Sequence, residues 1–152
     1  MNFKRVFHFI SYLQYPLMLI GIYFGVIPYL SGLEMLVDNP DMFFNNLNSA
    51  LIFIGLGTSF ASLQDTSKIQ NNFSKNIWEN PRKGKVTILL MCLAIILLLL
   101  MGLIGYFLTN DGVLKNLSVG IMVLSLGMFG FLKVATEMFE NHKKVTDTEF
   151  HS

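Results

Sequence analysis

Residues 86–108 read VTILLMCLAIILLLLMGLIGYFL, 23 positions without one Asp, Glu, Lys or Arg, and with Thr87 as the sole hydroxyl before Tyr106. A bilayer's hydrocarbon core needs roughly 20 consecutive apolar residues in a helix, so this stretch is long enough to cross it. The rest of the chain repeats the theme. Charged residues make up only 14% of the sequence and hydrophobic ones 53%. Soluble domains average about 25% and about 45–50%. The few charges are bunched, leaving three further uncharged stretches. Toward the C-terminus, the run from Asn116 to Leu132 is extended to about Thr136 if Lys133 bends its ammonium outward. Toward the N-terminus, Asp41 and Asp65 bound a second run, and a first follows Lys4 and Arg5 with His8 as its one titratable base. That first run is too long, and too interrupted by Tyr12, Tyr15, Pro16 and Tyr23, to read as a cleaved signal peptide. The expectation is an all-α integral membrane protein, a single domain over 1–152 with spans at about 8–31, 42–64, 86–108 and 116–136.

The charges orient these spans. Lys4 and Arg5 precede the first; Lys68, Lys75, Arg82, Lys83 and Lys85 separate the second from the third; Lys133, Lys143 and Lys144 follow the fourth. Only Lys115, of eleven basic residues, falls on the other side, where Glu34, Asp38, Asp41 and Asp111 lie. Basic residues stay on the cytoplasmic side, which predicts both termini there and four transmembrane helices arranged as two antiparallel hairpins. Plasma membrane or bacterial inner membrane is the location this implies. No basic block is dense enough for nucleic acid.

The connections carry their own signals. Asp38-Asn39-Pro40-Asp41 reads as a helix start, with an Asx cap, Pro at the first helical position and an acid at the positive dipole end. Asn110-Asp111-Gly112 reads as an ordinary turn. In the inner connection, Ile69, Phe73 and Ile77 recur every four residues, which predicts an amphipathic helix over about 66–79. Lys68, Phe73, Trp78, Arg82 and Lys83 would then lie at the inner membrane surface, drawn to anionic lipid; packing on a cytoplasmic partner is the plainer alternative. A flexible tail is expected over about 143–152. Aligned seventy residues apart, Asn46-Leu47 matches Asn116-Leu117 and Leu56-Gly57 matches Leu126-Gly127. A duplicated hairpin would explain these identities, and so would chance in apolar sequence.

Helices in a bilayer associate through small residues and polar groups rather than by hiding oil in oil. Such stripes mark contact faces. The second stretch carries Asn45, Asn48, Ile52, Gly55, Ser59, Ser62 and Thr66, spaced alternately by three and four. The first carries Ser11, Gln14, Met18, Gly21, Gly25, Pro28 and Gly32; the fourth offers Gly120, Gly127 and Gly130. The third, an unbroken Leu and Ile run with Gly102 and Gly105 near one end, should face lipid most. Two meanings compete for the Asn48 stripe. Its groups hydrogen-bond to neighbouring helices and hold the bundle together, or several copies turn it toward a shared water-filled axis.

Absences narrow the function. No ionisable side chain lies deep in a span, which disfavours proton- or ion-coupled transport. His8, His142 and His151 are scattered and Cys92 sits mid-span, so neither a metal set nor an intramolecular disulfide is legible, and no cofactor is implied. No nucleophile and base pair or paired carboxylates announce an enzyme. Pro16 and Pro28 should each kink the first span. Lys133 and Glu137 stand four apart and can pair, in the less favourable order. The expected role is a non-enzymatic subunit that oligomerises, with itself or with another membrane protein, through its small-residue faces. The alternative is a passive oligomeric pore lined by Asn45, Asn48, Ser59 and Ser62.

Overall fold

The computed structural model describes residues 3–30, 39–64 and 80–149, with the side chains of Lys4 and residues 142–149 set aside. The amphipathic segment expected over about 66–79, with Lys68, Phe73 and Trp78, lies outside the described residues, as do Gly32 and Thr66. Everything regular among the described residues is helical: α1 (Phe3–Ser11), α2 (Gln14–Leu30), α3 (Pro40–Ala61), α4 (Pro81–Leu108) and α5 (Gly112–Glu149).

The first expected span is two helices, not one. Between Ser11 and Gln14 the chain makes tighter bonds, with the Tyr12 amide donating to the Phe9 carbonyl at 3.2 Å and the Leu13 amide to Ile10 at 3.1 Å. Pro16 is the cause, because it has no amide for the Tyr12 carbonyl and its ring presses on that carbonyl. Tyr12 accepts instead from Tyr15, at 3.2 Å. Pro28, by contrast, is buried within α2, which continues to Leu30.

Helix starts follow local chemistry. Asn39 is the N-cap of α3, with Pro40 next and Asp41 in the first turn, but its side chain makes no capping bond. At α4 the cap is complete: the Asn80 carboxamide accepts from the Arg82 and Lys83 amides at 3.1 and 3.4 Å, and Pro81 fills the first position. The third helix therefore begins five residues before residue 86, and Arg82 and Lys83 belong to its exposed first turn rather than to a loop. Asp111, read above as part of a turn, caps α5 by accepting from Val113 at 2.8 Å and Leu114 at 3.2 Å. That helix outruns its expected bounds of 116–136 and includes most of the predicted tail, ending at Glu149. From Phe131 to Glu149 there is no Gly or Pro to stop it, and Lys133 and Glu137 bridge one turn at 3.5 Å.

Three segments among the described residues are long and apolar enough to cross a membrane: Arg5–Leu30, Pro81–Leu108 and Gly112–Asn141. The chain is thus an all-helical protein of membrane-spanning character. α3 falls short on apolarity because Asn45, Asn46 and Asn48 crowd its first half.

The helices form a row in the order α2, α3, α5, α4, each packing chiefly on its neighbours in that row. Among the described residues α2 and α4 share no packed interface, so the row stays open rather than closing into a bundle. Among the described residues little is deeply buried besides glycines and Pro28: Ala50, Ile95 and Ala135 are apolar, and Ser11, Gln14, Ser118 and Ser125 polar. α4, with one neighbour, is the least covered span, only 11% buried.

Candidate functional site

The features that distinguish this chain from a set of oily helices lie in its three seams. Each is built on glycine. In the α3–α5 seam, a Cβ added at Gly55 would stand 2.7 Å from the Val123 carbonyl oxygen and 2.8 Å from the Leu124 Cα. At Gly127 the same space is occupied by the Gly55 carbonyl and the Thr58 hydroxyl; at Gly130 it is occupied by Ser62, and at Gly120 by the Asn48 side chain and carbonyl. Contacts advance together along both helices, from Asn48 with Gly120 to Ser62 with Gly130, so α3 and α5 run in the same direction. The second-helix and fourth-helix stripes therefore meet each other.

In the α2–α3 seam, Gly57 lies against Met18 and Gln14, Gly21 against Ala50 and Ile54, and Gly25 looks toward Ala50 at 3.9 Å. Phe24 stacks on Phe53 at 5.7 Å beside them. These contacts run oppositely along the two helices. So do those of α4 and α5, where Gly102 meets Ser118 and Met122, Gly105 meets Ser118, and Lys115 stands 4.8 Å over the Tyr106 ring.

The two outer joints are alike. A Cβ on Gly21 would lie 3.2 Å from both the Ala50 carbonyl oxygen and the Ile54 amide; on Gly102 it would lie 3.1 Å from the Ser118 oxygen and 3.2 Å from the Met122 amide. Ala50 and Ser118 are 68 residues apart, as are Ile54 and Met122, whereas the glycines are 81 apart. No single shift aligns both helices, and the seventy-residue match does not survive in space. Gly57 packs on α2, while its sequence counterpart Gly127 packs on α3.

The polar groups do not bridge these seams in the way the stripes suggested. The hydroxyl of Ser59 donates to Gly55 at 3.0 Å, Ser62 to Ser59 at 2.7 Å, Thr58 to Ile54 at 2.8 Å, Ser118 to Leu114 at 2.8 Å and Ser125 to Met122 at 2.8 Å. All five acceptors are carbonyls of the same helix, the usual resort of a hydroxyl where water is absent. What these residues give the seam is small volume. Asn48 is the exception: its carboxamide oxygen is buried with no hydrogen-bond partner. A Cβ at Gly120 would meet this oxygen at 2.5 Å, so glycine is what leaves room for it.

Ser11, Gln14, Gly21 and Pro28 are buried, Gly25 is half-buried, and Asn45 is exposed beside the seam. Among the described residues no three His, Cys, Asp or Glu side chains come together. Sequence reasoning missed the Asp111 cap and the Lys115–Tyr106 contact. The Asp two residues before Val113 was signal enough for the first; nothing in a linear pattern pairs the second. No protein-family model, curated protein or solved structure matches the chain.

Proposed function

We propose that the chain is a four-span integral membrane protein, with both ends and the 65–85 connection on the cytoplasmic side, and that it acts as a non-enzymatic subunit of a membrane assembly. α3 serves as the fourth span because it packs between α2 and α5 along their apolar lengths. The polar groups of its asparagine-rich end are accommodated locally, as where the Asn46 amide donates to the Met42 carbonyl at 2.8 Å.

The observation that carries the assembly reading is the open row. Among the described residues most of each small-residue stripe packs within one copy, so docking faces are sought on the uncovered flanks as well. What remains uncovered on α2 is a different stripe: Tyr15, Leu19, Ile22, Val26 and Tyr29, alternately four and three apart and each 44–67% exposed. That spacing is the seam of a left-handed helix pair. Its hydroxyl-bearing rings find partners more readily against protein than against acyl chains.

Native mass spectrometry of the full chain released from lipid nanodiscs tests this reading. Multiple copies, or a co-purifying membrane protein, are expected, and Tyr15→Ala with Leu19→Ala and Ile22→Ala should reduce that association. A strictly monomeric chain with no partner at any concentration would end it. The pore reading has less support, because Asn48, Ser59 and Ser62 lie against Gly120 and Gly130 of the same copy.

A further inference from the structure

We infer that the exposed face of α4 is a docking surface for an anionic phospholipid of the inner leaflet, with Arg82, Lys83 and Lys85 holding the phosphate and Leu89, Leu90 and Leu93 the acyl chain. The inference deepens the membrane reading above and rests on it.

Three facts combine. Arg82, Lys83 and Lys85 are all exposed on the first turn and a half of α4, and no acid accompanies them there. Among the described residues none has an ion-pair partner. Cations at this end of a helix are opposed by its dipole, so three of them within Pro81–Lys85, with no acid among those five residues, concentrate positive charge there. The Asn80 carboxamide already takes the backbone amides of Arg82 and Lys83, so an anion there would be held by side chains. Directly beyond, Leu89, Leu90 and Leu93 are 54–69% exposed on a helix whose other flank alone meets α5. A charged headgroup site that continues into an aliphatic track has the shape and polarity of one phospholipid. A second copy is a poor occupant, since two α4 faces would bring six such cations together.

Val86, one turn beyond Arg82 and 55% exposed, is replaced by Trp in a Trp78→Phe background, so that its fluorescence reports on lipid beside the site. The full chain is reconstituted in phosphatidylcholine vesicles containing an equal mole fraction of either brominated phosphatidylglycerol or brominated phosphatidylcholine. The anionic quencher should be enriched about fivefold for each cation engaged, the share a Lys or Arg near an anionic surface contributes. R82Q/K83Q/K85Q should abolish that preference, and Lys133→Gln should retain it. Inorganic phosphate should leave it intact, because the acyl chain is part of the ligand. Equal quenching by the two lipids, a preference that survives in the triple variant, or displacement by phosphate would each overturn the inference. Absence of quenching by either lipid would instead count against the membrane placement itself.

Discussion

A methyl group at Gly127 has nowhere to go, because the Gly55 carbonyl and the Thr58 hydroxyl already fill its position. Gly127→Ala should therefore push α3 from α5 and cost about 1–3 kcal/mol, as overpacking does. Gly112→Ala, at a site with nothing within 4 Å, should change stability by less than about 1 kcal/mol, with the sign of a helix gained. Reversible unfolding in mixed micelles measures both, and equal effects would refute the seam. The same assay separates polar glue from close approach. Asn48→Ala removes a buried oxygen that has no donor, so no loss of stability is expected, whereas an interhelical hydrogen bond would cost about 0.5–2 kcal/mol to delete. The stripes were legible as small and polar residues. What each touches was not, because a hydroxyl chooses between its own helix and a neighbour by rotamer, which spacing does not encode.

At the scale of the element, the junction of α1 and α2 is set by one residue. Pro16→Ala restores an amide for the Tyr12 carbonyl, so helix should run unbroken from Phe3 to Leu30. Slower amide hydrogen exchange at Tyr12 and Leu13 would record it, and unchanged exchange there would mean that Pro16 is not the cause. The α5 cap is equally local: Asp111→Ala should cost about 1 kcal/mol, visible as fraying of the first turn in the same measurement. The existence of α2, α4 and α5 could be read from hydropathy alone. Their ends could not, since the charged turn from Pro81 to Lys85 belongs to a helix that an apolarity scan begins at Val86.

For the molecule as a whole, two hairpins were expected and the neighbour relations within each follow from short connections. The order of the row was not legible, because a stripe on one helix names a face and not the helix that fills it. Among the described residues the contact of the Asn48–Ser62 and Gly120–Gly130 stripes joins the halves, and although each stripe is periodic in sequence, their pairing is not. Orientation across the bilayer has a direct measurement. In a Cys92→Ser background, Asn110→Cys and Glu140→Cys should react with an impermeant thiol reagent from opposite sides of sealed vesicles. Labelling from one side only would remove α5 as a span. Its 38 residues rise about 57 Å, nearly twice a hydrocarbon core of roughly 30 Å. About 25 Å of helix follows Leu132. A helix answers a thinner bilayer by leaning, and when this one leans by about ten degrees, the tip at Glu149 sweeps roughly 4 Å sideways. Membrane thickness thereby becomes lateral position at the far end of a lever.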